Sequence, residues 1–255
     1  MLVHIYGLIG STLKHSWSRE YFIRKFAAAG IHADYKLFEL AHVGDLPALV
    51  SSEKQLCGLN VTIPYKQSVI PFLSGISPEA ETIGAVNTIR IERQGGNISM
   101  TGFNTDAPAF SAELGRFDFR DDKSALVLGT GGAAMAVAYV LKNEGWTFSM
   151  VSRGGKLPGS LTYAMVTPEI MASVKLIVNA TPLGMYPDVD ALSPLPWDCV
   201  TESHQLFDLI YNPEKTCFMQ TGMAKGAMAI NGLGMLKRQA EMAWEIWQKA
   251  PGQEK

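Results

Sequence analysis

One stretch constrains this chain more than any other: SALVLGTGGAAMAVAYVL, residues 124–141. Residues 125–128 read as a short buried strand, the chain breaks at Gly129-Thr130-Gly131-Gly132, and Ala133, Val137 and Leu141 then recur at helical spacing. Strand, glycine turn and helix in that order bring the unpaired N–H groups of a helix start to the end of a parallel strand. The turn has the form G-x-G-x-x-A. Gly129 permits the reversal, Gly131 and Gly132 let backbone N–H groups approach a pyrophosphate, and Ala134 keeps helix and strand close. The plainer reading is a packing turn that binds nothing, and the rest of the chain has to separate the two.

At 255 residues and 47% hydrophobic, the chain can bury the cores of one large or two ordinary domains. A net charge of -2, with no long run of either sign, offers no footprint for nucleic acid or an anionic membrane, so a small molecule is the expected partner. Cys57, Cys199 and Cys217 stand in neither disulfide, metal nor redox spacing, which points to a reducing cytoplasm and to no metal site. The apolar start, MLVHIYGLIG, lacks a basic leader and a small-residue cleavage site and is too short to span a bilayer; it reads as a first strand.

That strand covers 2–9, a helix opened by Ser16 or Ser18 closes at Gly30, and a strand at 35–40, a helix at 45–51 and a strand at 56–63 ended by Pro64 follow. This β-α-β-α-β order is the grammar of a parallel sheet. Ser77-Pro78 opens another helix, and 86–92 and 98–103 flank Gln94-Gly95-Gly96-Asn97 as a hairpin. Thr105 or Asp106 caps a helix through 114, and the polar Arg120-Asp121-Asp122-Lys123 segment leads into the glycine turn, so a domain boundary is expected between about 104 and 123. Behind it the alternation repeats, with strands at 147–151, 175–179 and 206–209 and a helical stretch at 168–172. The last helix, 233–248, places Leu233, Leu236, Ala240, Ala243, Trp244 and Trp247 on one face, with Gln239 as its polar exception.

An acid after the second strand of a dinucleotide fold would hold the ribose of NAD. Here that position reads Val151-Ser152-Arg153-Gly154, and a hydroxyl beside a guanidinium suits the 2′-phosphate of NADP; a merely exposed strand-end arginine is the alternative. In the first domain, Ser16, Ser18, Asn60, Thr62 and Asn87 offer hydroxyls and amides to a ligand rich in hydroxyl and carboxylate groups, and Lys66 and Asp106 can form an acid-base pair. These residues follow strands, where sites on open α/β sheets collect. Each also has a plain account, since Ser16, Ser18 and Asp106 can cap helices and Lys66 can be solvated. His4 and His15 receive no role.

SWS at 16–18, GLNVTIPYK at 58–66, GAVNT at 84–88, FNTD at 103–106, GTGGAA at 129–134, NATPLGM at 179–185, DLIYNP at 208–213 and NGLGMLKRQA at 231–240 together resemble the shikimate dehydrogenase family. The resemblance implies an α/β fold: an N-terminal substrate domain (1–105 plus 233–255), a Rossmann-type NADP-binding domain (106–232), a last helix that returns to the first domain, and an active site between the two. It implies NADPH-dependent, reversible reduction of 3-dehydroshikimate to shikimate, on the way to the aromatic amino acids, by a cytoplasmic monomer or homodimer. By matching positions, Ser16 and Ser18 hold the substrate carboxylate, and Thr62, Lys66, Asn87, Asp106 and Gln239 surround the ring hydroxyls and reacting carbonyl, with Tyr211 completing the pocket. Gly129, Thr130, Gly131, Gly132, Ala133, Ser152, Arg153, Leu209 and Gly232 meet the cofactor. Ser152, Gly154 and Met135 depart from the residues common in the family around the cofactor, and Thr12 and Arg19 replace prolines. A quinate or quinate/shikimate dehydrogenase and a non-catalytic NADP-binding sensor are the alternatives; the presence of both Lys66 and Asp106 favours an enzyme.

Overall fold

The computed structural model describes residues 3–13, 16–119, 122–155 and 157–249; residue 2 of the expected first strand, Lys14, His15, Arg120 and Asp121 lie outside them. The chain forms two compact units, one running up to Thr105 and resuming at Gln239, the other Asp106–Arg238.

In the first unit β1 (His4–Gly10) leads through α1 (Trp17–Ala29) to β2 (Ala33–Glu39), and α2 (Leu46–Ser52) leads to β3 (Leu56–Val61). Both β2 and β3 pair with β1 in parallel. Of the two serines at the head of α1, Ser16 is the cap: its Oγ accepts the Arg19 N–H at 3.4 Å, and Gly30 closes the helix in the left-handed conformation that only glycine enters freely. Beyond β3 come β4 (Gly75–Ile76), α3 (Pro78–Ile83), β5 (Thr88–Gln94) and β6 (Asn97–Phe103), in the sheet order β2-β1-β3-β5-β6-β4. The β5–β6 turn places Gly95 and Gly96 at φ 56° and 85°, the pairing of positive φ values that matches the twist of a two-residue hairpin. Because β5 is antiparallel to both neighbours, β6 runs with β1 and β3. The ends of β1, β3 and β6 and the start of β5 therefore lie along one edge.

Two strands differ from the sequence reading for the same reason. The strand expected to reach residue 63 stops at Val61, because the Thr62 N–H bonds to the Ile9 carbonyl while the Thr62 carbonyl takes the Tyr65 N–H and closes a turn over Pro64. The strand expected from residue 86 begins at Thr88, since the Val86 N–H is bonded to the Lys66 carbonyl and that of Asn87 to Phe103.

The second unit begins with α4 (Asp106–Leu114) and continues through β7 (Ser124–Leu128), α5 (Gly132–Asn143), β8 (Thr147–Ser152), β9 (Leu161–Thr162), α6 (Pro168–Ser173), β10 (Leu176–Asn179), β11 (Gln205–Asp208), α7 (Cys217–Met223) and β12 (Met228–Ile230). Its sheet is parallel throughout, in the order β12-β11-β10-β7-β8-β9. The chain moves outward from β7 to β9 and then restarts at β10 on the other side of β7, so the switch point of this Rossmann-type sheet lies beside the glycine turn. The residues of β7 from Ala125 to Leu128 are buried, as a strand covered by helices on both faces requires.

The last helix, α8 (Leu233–Gln248), has the predicted span. Where the family resemblance implies a return at residue 233, the compact units divide inside this helix, between Arg238 and Gln239. Its buried side carries Gln239, Ala240, Ala243 and Trp247, and in the first turn Met235 is buried rather than Leu233 or Leu236. The far half of α8 covers one face of the first sheet with an aromatic layer. Trp247 stacks on Tyr6 at 4.8 Å, tilts against Phe22 at 5.4 Å, and donates its indole N–H to the Ile89 carbonyl at 3.0 Å. The opposite face is aliphatic, with Ile9, Leu59 and Ile89 packed beside Leu46 and Val50 of α2 and Ala80 of α3.

Gly58 on β3 makes the aromatic layer possible, because a Cβ at that position would collide with the Trp247 indole. Forcing a methyl into a packed core typically costs about 1–3 kcal/mol, so Gly58→Ala should lower the melting temperature by roughly 2–10 °C. A thermal melt that shows no decrease would mean the indole is not seated on β3.

Candidate active site

Along the common edge of the first sheet, each candidate side chain is held by its backbone neighbours. Lys66 is half-buried and fixed from both sides: its carbonyl accepts the Val86 N–H at 2.7 Å, and the preceding Tyr65 is buried with its hydroxyl bonded to the Leu40 carbonyl at 2.6 Å. Thr62 sits against the end of β1, where a Cβ on Gly10 would come within 2.7 Å of its methyl group. Ser18 is buried on α1, and Ser16, the helix cap, is half-buried.

Asn60 and Asn87 lie deeper. The Asn60 oxygen accepts the Tyr35 hydroxyl at 2.8 Å, and its amide faces the Asn87 carbonyl and Thr88 Oγ1, both at 3.4 Å. The Asn87 oxygen accepts the Thr105 N–H at 2.8 Å, and its amide donates to Thr105 Oγ1 at 2.9 Å. Burial drives the Tyr35 phenol well above its ordinary pKa, so the phenol stays a neutral donor to Asn60. Nothing in the sequence pattern marks Tyr35, within β2, as the partner of an asparagine on β3, and Thr105, expected as a possible cap of α4, is also the partner of Asn87. Thr105 precedes Asp106, the buried first residue of α4, and Gln239 is buried on α8. His4, also unassigned, is exposed with its Nδ1 3.2 Å from Cys57 Sγ.

The second unit presents its candidates at the carboxyl ends of its strands. Gly129 follows β7 at φ 114°, and a Cβ there would approach the Ala180 carbonyl to 2.9 Å, so the turn requires glycine. Gly131, exposed, caps α5 without a side-chain acceptor, and nothing lies within 4 Å of where its Cβ would stand; the half-buried Thr130, Gly132 and Ala133 complete the start of the helix. At the end of β8, Ser152 is 8% exposed and its hydroxyl has no hydrogen-bond partner among the described residues, beside the exposed Arg153. Bare helix-start amides, an open glycine and an orphaned hydroxyl next to a guanidinium fit a phosphorylated dinucleotide. Leu209 and Tyr211 follow β11, and Gly232 follows β12 with its N–H on the Ile210 carbonyl at 3.0 Å. Among the described residues there is no cluster of three or more metal-ligating side chains and no helix long and apolar enough to cross a membrane, and Cys57, Cys199 and Cys217 are free thiols.

Residues 8–89 match the family model of the shikimate dehydrogenase substrate binding domain. Over nearly its whole length the chain is similar to the NADP(+) shikimate dehydrogenase of Carboxydothermus hydrogenoformans, 38% identical with 94% of this chain and 90% of the relative covered. The solved structure of a shikimate 5-dehydrogenase from Thermus thermophilus, in complex with NADP(H) and shikimate, superposes with a TM-score of 0.82 at 31% identity, covering 96% of this chain and 94% of the other. A quinate dehydrogenase from Corynebacterium glutamicum in complex with NAD has the same TM-score, 0.82, at 25% identity over 96% and 94%.

Two buried carboxylates in the second unit are handled in opposite ways. Glu113 on α4, 3% exposed, accepts Arg238 Nε at 2.6 Å and Arg116 at 2.9 Å. Burial would raise its pKa, but the hydrogen bonds and charges of the two guanidinium groups outweigh it and hold the carboxyl below its ordinary value. Asp208, at the end of β11 and 0% exposed, has only neutral donors: Asn179 Nδ2 at 3.0 Å, the Ile210 N–H at 3.0 Å and Thr216 Oγ1 at 2.5 Å. Burial dominates and pushes its pKa from 3.8 to about 6, although all three hydrogen bonds pull the other way. A carboxyl whose pKa is raised on folding binds its proton more tightly in the native state, so stability falls as pH rises between the two values, here by about 3 kcal/mol. Asp208→Asn removes that titration. Measured by denaturant unfolding, the variant should gain about 2 kcal/mol relative to wild type between pH near 4 and pH near 7; a difference that is flat with pH would mean Asp208 titrates in its ordinary range.

Proposed function

The chain belongs to the shikimate dehydrogenase family, and we propose that it carries out the NADP-dependent, reversible reduction of 3-dehydroshikimate to shikimate with Lys66 and Asp106 as its acid-base pair. The observation that carries the residue assignment is the single edge of the first sheet. It carries Thr62, Lys66 and Asn87, with the backbone on both sides of Lys66 tied down, and Ser16 and Ser18 open the helix that follows β1. In this reading Ser16 and Ser18 take the substrate carboxylate, and Thr62, Asn87, Gln239 and Tyr211 take the ring hydroxyls. Asn60, whose side chain bonds Tyr35, Asn87 and Thr88, supports Asn87 from beneath.

NADPH, when bound, supplies the hydride. As hydride reaches the carbonyl carbon, negative charge develops on the carbonyl oxygen, and the Lys66 ammonium stabilises it and passes it a proton. Asp106, by matching position, is the second group of the acid-base pair and, in the oxidative direction, supports the role of base. On the second unit, Gly129, Thr130, Gly131, Gly132 and Ala133 offer N–H groups to the pyrophosphate, Ser152 and Arg153 take the 2′-phosphate, and Leu209 and Gly232 offer backbone to the nicotinamide half. The free thiols support a cytoplasmic location.

Arg153 should select NADP. A charge-assisted contact to phosphate is worth roughly 1.5–3 kcal/mol, so Arg153→Ala should lose about ten- to a hundredfold in kcat/KM with NADP and little with NAD. Equal losses with both cofactors would assign Arg153 to structure. Lys66→Ala should lower turnover in shikimate oxidation by roughly 10²–10⁴-fold, with KM changed far less and the melting temperature nearly unchanged. A folded variant that keeps more than about a tenth of wild-type turnover would transfer the proton to another group. Quinate in the same assay tests the substrate: turnover exceeding that with shikimate would make this chain a quinate dehydrogenase.

A further inference from the structure

The Asp208 carboxylate has no place in the reaction just described, yet it ties the loop after β10, which supports Gly129, to the turn after β11, which carries Leu209 and supports Gly232. It stands beside Asn179, its register partner on β10. Asn179 donates to it at 3.0 Å and to the Leu183 carbonyl at 3.2 Å, while the Asn179 oxygen accepts from the N–H and hydroxyl of Thr181 at 3.2 and 2.7 Å. The loop after β10 is thereby folded back on its own start. Ala180 of that loop gives its N–H to Leu128 at 2.9 Å and its carbonyl closes on Gly129, so the phosphate turn rests on a backbone that Asn179 shapes.

On its other side Asp208 takes the N–H of Ile210. That fixes the turn containing Leu209 and Tyr211, and the turn in turn supports Gly232: its N–H bonds to the Ile210 carbonyl, and a Cβ on Gly232 would strike the carbonyl of Leu209. The third donor, Thr216, also caps α7 by accepting the Met219 N–H at 3.2 Å, which anchors the far end of the same segment. One carboxylate thus accepts from the end of β10, the turn after β11 and the head of α7, and the first two abut Gly129, Leu209 and Gly232, which are assigned to the cofactor.

We propose that Asp208 is the positioning residue of the NADP site: its two oxygens, by accepting from Asn179, Ile210 and Thr216 at once, set the loops after β10 and β11 in the form that receives the cofactor. The inference rests on the reading of the second unit as an NADP site. Asp208 touches no part of the reaction itself, so its effect falls on cofactor affinity more than on the chemical step.

The test is a titration of NADPH into the ligand-free chain, followed by nicotinamide fluorescence at a temperature well below every variant's melting point. Asp208→Ala leaves three buried donors without an acceptor, and its NADPH affinity should fall about tenfold or more. Asp208→Asn keeps both bonds at Oδ1 and reverses the one to Thr216, so it should bind within about threefold of wild type. Amide exchange in the ligand-free protein should quicken at Ile210 and Thr181 in the alanine variant and not in the asparagine one. If Asp208→Ala is too unstable to purify, Thr216→Val removes one of the three bonds and should weaken NADPH by roughly three- to tenfold. Wild-type affinity in a folded Asp208→Ala or Thr216→Val variant, with only the melting temperature lowered, would overturn the proposal, as would an asparagine variant as weak as the alanine one. Wild-type protein that binds no NADPH would overturn the cofactor reading and this proposal with it, an outcome distinct from wild-type binding that the variants leave unchanged.

Discussion

Parallel strands stop together at one edge of their sheet, and the N–H and C=O groups beyond the last rung need partners there. What this structure offers a ligand follows from how that need is met. In the first unit the partners around β3 and β5 are neutral. Asn87 takes the Thr105 N–H, Asn60 faces the Asn87 carbonyl, and Tyr35 closes the chain from β2. In the second unit the corresponding place is held by a carboxylate, with Asp208 accepting from Asn179, Ile210 and Thr216. The neutral network of Asn60, Asn87, Thr88 and Thr105 adjoins Val86, whose N–H holds the Lys66 carbonyl, so it fixes the backbone at Lys66 with uncharged groups.

The parts of this architecture that were legible in the sequence are those with a local signal. Strand-turn-helix at 124–141 needs only an apolar run, glycines and helical spacing, and α8 reads correctly from end to end because sixteen residues give periodicity room to show. Two- and three-residue strands give it none, so β4, β9 and β12 were invisible, and α7 was missed as well. Strand ends were legible only to within two residues, since the place where β3 stops depends on the Ile9 carbonyl, some fifty positions away along the chain.

The site shows the same division. Ser16, Thr62, Lys66, Asn87 and Asp106 could be named from motif and chemistry, but the residues that hold them could not. Tyr35 and Thr105 act on partners brought close only by β-pairing, and Asp208 acts on Asn179, a register partner twenty-nine positions away. The NGLGM segment shows how a legible motif can still conceal its reason. Gly232 is glycine because the Leu209 carbonyl occupies the place of its Cβ, and Gly234 because the Glu113 carboxylate does. Glu113 is in turn held by Arg238, one turn further along the same helix. The two glycines let α8 start against β11 and α4, and neither requirement is local.

Glu113 and Asp208 also show what positioning requires. A carboxylate flanked by two guanidinium groups is held in its charged form, and that arrangement suits a clamp between α4 and α8. At Asp208 a cation would have solved the same desolvation problem, but a long, flexible ammonium or guanidinium carries no fixed direction toward a backbone N–H. Three short neutral donors do, because each is part of a segment whose path must be set: Asn179 at the end of β10, Ile210 after β11 and Thr216 at the head of α7. The consequence is a carboxyl whose pKa climbs to about 6 and which lowers the stability of the fold at neutral pH. Local instability retained at the edge that faces a ligand is the usual mark of a site selected for geometry over stability. Asp208 fits that description better than any buried group in the hydrophobic layers, where each side chain lowers the energy of the native state by being there.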